Sequence, residues 1–102
     1  MYKPLPDSLT IKTSKVNGLG LFAKEFIQVG TNFGVSHYKL KDSVMRTPLG
    51  GFVNNSNNPN CVKIELYNSN GHSYEYKRWN LVTIKDIKKG EELTLRYTFY
   101  NI

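Results

Sequence analysis

The stretch Leu81-Val82-Thr83-Ile84-Lys85-Asp86-Ile87-Lys88-Lys89-Gly90-Glu91-Glu92-Leu93-Thr94-Leu95-Arg96-Tyr97 reads as two strands around a polar turn. Leu81 to Lys85 forms the first strand and Leu93 to Phe99 the second. Side chains alternate along a strand, so Leu93, Leu95 and Tyr97 share one face. Lys85, Lys88 and Lys89 belong to a solvated turn. Immediately upstream, Val62, Ile64 and Leu66 alternate with Lys63, Glu65 and Tyr67. After Asn68-Ser69-Asn70-Gly71 the alternation resumes from His72 to Arg78, with Tyr74 and Tyr76 on one face. This is a hairpin signal. Trp79 stands between that basic hairpin and the next strand, as a core anchor.

Further out, Asn54-Asn55-Ser56-Asn57-Asn58-Pro59-Asn60 is dense in side chains that imitate backbone turns, and it reads as a loop. Lys39 to Pro48 is polar and irregular. Thr31 to Tyr38 has strand character. Leu9 to Val16 alternates as a half-buried strand, and Asn17-Gly18 favours a reversal into Leu19 to Ala23. No segment keeps a helical period for three turns, and no linker or internal repeat is visible. The expectation is a mainly β domain over residues 1–102, built from several small sheets of short strands with few helical turns.

Composition narrows the function classes. Apolar residues are 39% of the 102, but seven Tyr, five Phe and one Trp supply bulky core material. Fourteen Lys+Arg against eight Asp+Glu give a net charge of +6, which favours anionic partners. The single Cys61 excludes an internal disulfide. One Cys with the separated His37 and His72 excludes a four-ligand zinc site, so no metal is expected. These three residues need no chemical role. No signal segment or long apolar run is present, so no membrane is expected, and the expected location is the cytoplasm or a host cell's interior.

Three ordered motifs carry a family resemblance. Gly18-Leu19-Gly20-Leu21-Phe22-Ala23 is similar to a G-x-G-[LVI]-[FY]-A segment. Phe52-Val53-Asn54-Asn55-Ser56-Asn57-Asn58-Pro59-Asn60 is similar to F-[IL]-N-H-S-x-x-P-N. Ile84 to Tyr97 is similar to I-x-x-I-x-x-G-E-E-[LI]-T-x-x-Y. Together they span most of the chain and resemble the SET-domain family of protein-lysine methyltransferases. The resemblance is to a small stand-alone SET domain of viral or bacterial type, without a pre-SET or a zinc-binding post-SET region.

That resemblance implies transfer of a methyl group from S-adenosylmethionine to a lysine ε-amine of a histone-like or other host protein. A histone substrate would place the protein in the nucleus. Tyr97 matches the catalytic tyrosine. Gly18, Leu19 and Gly20, with Asn54 and Asn55, match the cofactor-binding positions. Tyr38, Phe99 and Tyr100 are the candidates for the walls of the lysine channel. Free lysine titrates near about 10.4, so a narrow apolar channel that disfavours the ammonium serves the reaction.

The sequence departs from the family pattern in places. Asn55 stands where the family has His, and Arg96 where it has Asp before the tyrosine. The insert that elsewhere forms one wall of the peptide groove is nearly absent. A second copy completing a homodimer would supply the missing wall. The departures also keep open a catalytically inactive SET-like binding module. A basic β-domain whose main ligand is nucleic acid fits the charge but does not explain three ordered motifs.

Overall fold

The computed structural model describes residues 5–15, 18–40, 43–66 and 76–96, with backbone only at Leu40 and Tyr76. Eight strands and one short helix follow in order: β1 (Leu9–Thr13), β2 (Leu19–Ala23), β3 (Asn32–Leu40), β4 (Ser43–Arg46), α1 (Pro48–Phe52), β5 (Asn54–Asn55), β6 (Cys61–Leu66), β7 (Tyr76–Thr83) and β8 (Glu92–Leu95). They form two four-stranded sheets, ordered β1-β2-β8-β5 and β4-β3-β7-β6. All pairs are antiparallel except β5 with β8, where Asn54 lies beside Thr94 and Asn55 beside Leu95. The mainly β expectation is met.

The core lies between the sheets. Leu21, Leu81, Ile87 and Leu93 are wholly buried, with Leu9, Ile27, Leu49 and Val53 packed around them. Each such side chain contributes about 1.5–3 kcal/mol on leaving water. Alternation explains the placement. On β8, Leu93 and Leu95 are buried while Glu92 and Thr94 are half-buried.

Several local readings change. Lys39 to Pro48 is not irregular: Lys39 and Leu40 continue β3, and Ser43–Arg46 forms the exposed edge strand β4. Its pairing with β3, not any apolar pattern, makes it a strand. Trp79 does not separate two strands but sits inside β7, whose partners run from Leu66 opposite Arg78 to Cys61 opposite Thr83. The Asn-rich run is a loop only after its first two residues, because Asn54 and Asn55 pair with β8. The turn at 68–71 and the tyrosine at 74 lie outside the described residues.

An internal correspondence also appears that the sequence hid. Segments 21–31 and 81–91 share only Leu, Ile and Gly at matching positions. Yet their backbone hydrogen bonds are reciprocal. Ile27 and Ile87 donate to each other's carbonyls at 2.8 Å. Gly30 N–H donates to Thr83 O at 2.9 Å, and Gly90 N–H to Ala23 O at 2.8 Å. Ala23 N–H donates to Glu91 O, and Thr83 N–H to Thr31 O. An approximate two-fold axis through the Ile27–Ile87 bridge therefore relates the two segments. Gly30 and Gly90 have matching positive φ, 87° and 90°, where a Cβ would strain the turn.

The helix α1 is short because Gly50 and Gly51 propagate helix poorly. Pro48 starts it, and Thr47 Oγ1 donates to Val35 O at 2.7 Å instead of capping it. Gly50 lies against Ser36 O, closer than any Cβ could approach. Register shifts on both sides of Val35 let Ser36 and His37 both turn inward.

His37 is wholly buried, with Nδ1 2.9 Å from Ser36 Oγ. Burial, with Arg46 and Lys63 adding positive charge, lowers its pKa from 6.5 to about 4. In the unfolded chain the ring takes up a proton as pH falls below 6.5, whereas the folded ring resists until about 4. His37 therefore costs no stability above that window, and the fold loses stability on acidification through it. The expected loss is about 3 kcal/mol between pH 7 and pH 4. Urea unfolding at a series of pH values measures it. A slope in that range equal to that of His37→Asn would refute the assignment.

Candidate functional site

Three distant segments meet at the carboxylate of Glu92, at the start of β8. Ser14 Oγ, just beyond β1, lies 2.8 Å from both Glu92 carboxylate oxygens and donates to this group. Asn54 Nδ2, on β5, donates to Glu92 Oε2 at 2.8 Å and to Leu19 O at 3.1 Å. The missing side chain of Gly20 completes the arrangement. A Cβ there would collide with Glu92 Oε2 and lie 3.1 Å from Asn54 Nδ2. A half-buried carboxylate is tolerable only with such partners.

Asn60 anchors the same strand from the other side. Its Nδ2 donates to Glu92 O at 2.9 Å, and its Oδ1 accepts from Thr94 N–H at 2.8 Å. The side-chain amide thus stands in for a strand neighbour along β8. The two glutamates of the Gly90-Glu91-Glu92-Leu93 segment divide their tasks. Exposed Glu91 accepts from Lys88 N–H at 2.8 Å and closes the turn, while Glu92 points inward.

Of the residues singled out by sequence, Leu19, Gly20 and Asn54 come together in this cluster. Leu19 contributes its carbonyl; its side chain is 50% exposed. Gly18 sits just outside, exposed, with φ 50° and open space where a Cβ would stand. Asn55 is exposed beside Leu95, one residue along β5. Tyr38 is half-buried on β3, opposite Met45 and Arg78, in the other sheet. Tyr97, Phe99 and Tyr100 lie outside the described residues. Sequence reasoning gave no role to Ser14, Glu92 or Asn60. A carboxylate directly before the buried Leu93 was the available signal, because such a group demands partners.

The cluster offers a carboxylate, an amide, a hydroxyl and close-approach backbone around one glycine. Its acceptors, the Glu92 carboxylate and the Leu19 carbonyl, suit a small ligand that carries positive charge. Among the described residues, no three or more His, Cys, Asp or Glu are gathered as a metal would require. No described helix is long and apolar enough to cross a membrane.

The SET-domain family model matches residues 36–98. The chain belongs to the SET-domain family. Among solved structures, this SET domain is similar to a protein from Plasmodium falciparum described as a histone methyltransferase. The TM-score is 0.68 at 16% identity, over 91% of this chain and 95% of that one. It is also similar to the Polycomb Repressive Complex 2 of Chaetomium thermophilum in a humanized, inhibitor-bound form. There the TM-score is 0.65 at 22% identity, over 87% of this chain but only 15% of that one. An apo form of ctPRC2 with mutations in Ezh2 gives 0.65 at 21% identity, again over 15% of that chain. At these identities the likeness is one of fold. No curated protein matches the chain.

Proposed function

We propose that this SET domain transfers a methyl group from S-adenosylmethionine to the ε-amine of a protein lysine. The observation that carries the reading is the meeting of Leu19-Gly20, Asn54 and Glu92, three segments far apart in sequence, in one hydrogen-bonded cluster. The cofactor supplies a methyl group on a positively charged sulfur. The half-buried carboxylate, the Leu19 carbonyl and the Asn54 amide fit a ligand with that charge and an amino-acid end. Gly18 leaves open space on its approach, Gly20 makes room for the Glu92 carboxylate, and Asn55 extends the same edge.

In this reading Tyr97 provides the hydroxyl that aligns the lysine amine. Tyr38, Phe99 and Tyr100 provide apolar walls that favour the neutral amine over the ammonium. Alignment of amine, methyl and sulfur then supplies much of the rate.

Asn54→Ala removes the donor that bridges Glu92 and Leu19 O. Its expected effect is a loss of about 1–3 kcal/mol in cofactor affinity, or roughly 5- to 150-fold. Calorimetry with S-adenosylhomocysteine reads the affinity, and labelled methyl transfer to histones and bulk protein reads the reaction. Unchanged affinity in both Asn54→Ala and Gly20→Val would remove the cofactor from this site.

A further inference from the structure

A groove of about 760 Å³ opens on the core-side face of the β4-β3-β7-β6 sheet. Its volume is that of ligand-binding clefts, which run from about 300 to 1,000 Å³. The floor is apolar, formed by Trp79, Cys61 and Leu95, all buried. The walls carry Lys39, Lys63, Lys77 and Arg96, against the single carboxylate of Glu65 among the described lining residues. None of the Glu92 cluster lines it.

The cations stand where the fold alone would not place them. Lys39 and Lys77 are direct cross-strand partners on β3 and β7, an arrangement that costs stability when both are positive. Lys63 on β6 is partly buried, and that burial lowers its pKa. Arg46 and Lys63 also contribute to the positive field that holds His37 neutral. A bound anion would ease the Lys39–Lys77 repulsion and the burial of the Lys63 ammonium at once.

We propose that this groove binds an acidic peptide segment of a partner protein, with an apolar side chain seated over Trp79 and carboxylates against Lys39, Lys63, Lys77 and Arg96. The chemistry favours peptide over nucleic acid. The cations ring an apolar floor from three strands and the residue after β8, instead of following a line suited to a phosphate backbone. Glu65 can accept an amide N–H from a peptide, a donor that a phosphate backbone does not offer.

Trp79 is the only tryptophan in the chain, so its emission reports occupancy directly. The probe is an acetylated heptapeptide of alternating glutamate and leucine. Controls are the same peptide with lysine for glutamate, and a ten-nucleotide oligothymidylate. The expected result is a saturable change in Trp79 emission with the glutamate peptide alone, weakening as salt rises. Lys77→Glu should weaken that binding at least tenfold while holding or raising the melting temperature, because it turns the Lys39 pair attractive. Absence of a saturable change, equal binding by Lys77→Glu, or tighter binding of either control would overturn the proposal. The readout needs no cofactor and no methyl transfer, so it stands or falls apart from the enzymatic reading.

Discussion

Tyr97→Phe is expected to lower the methyl-transfer rate by roughly 100- to 1,000-fold, the effect of removing one positioned polar group, about 2.7–4 kcal/mol. The ring volume is preserved and one oxygen is lost, so the fold should persist. Cofactor affinity should move far less than the rate if the contact strengthens in the transition state. In the sequence Tyr97 stands two positions after the last residue of β8. Leu93 and Leu95 lock β8 into the core, and Arg96 Nη2 donates to Asn57 O at 2.8 Å, tying the end of β8 to the Asn-rich loop. A tyrosine with a purely structural role would give the opposite pattern, with stability reduced and activity per folded molecule intact. Turnover and melting temperature measured on one preparation separate the two. Near wild-type turnover in folded Tyr97→Phe would end the catalytic assignment.

Gly50→Ala should produce the largest loss of stability among single-methyl additions. The new Cβ would collide with the carbonyl oxygen of Ser36 and stand 3.0 Å from His37 Cε1. A backbone carbonyl cannot swing aside as a side-chain tip can. Overpacking of this kind costs about 1–3 kcal/mol or more. In a domain of this size, about 3 kcal/mol lowers the melting temperature by roughly 12–24 °C. The adjacent Gly51 is the internal control, because nothing lies within 4 Å of its would-be Cβ. Gly51→Ala should be neutral or stabilising by up to about 1 kcal/mol through helix propensity. Scanning calorimetry of the two variants tests the packing, and equal melting temperatures would contradict it.

The candidate site was legible only where its residues fall in short contiguous motifs. Leu19, Gly20 and Asn54 stand out because they fall in segments that resemble the family's motifs. Glu92 and Ser14 did not stand out. Charged and hydroxyl residues are ordinary on a surface, and only the approach of segments 78 positions apart makes them partners. Asn60 was hidden for a related reason. Among the four other asparagines of the 54–60 run, nothing local marks the amide that substitutes for a strand neighbour.

By itself the sequence determined the strand class of most segments. Side-chain alternation is a property of neighbours along the chain, and Leu93, Leu95, Val62 and Leu66 carry it without help. It also determined the family, since the three motifs keep their order. Beyond the two hairpins, β1 with β2 and β6 with β7, tertiary structure alone decided which strands share a sheet, and that β5 runs parallel to β8 across an intervening 36 positions. It made β4 a strand with no buried residue to announce it, and it merged the two segments around Trp79 into one. It buried His37 beneath Gly50, and it set Lys39 against Lys77. These outcomes depend on hydrogen-bond partners and close packing between residues far apart in the chain, for which a period of two along a single strand holds no information.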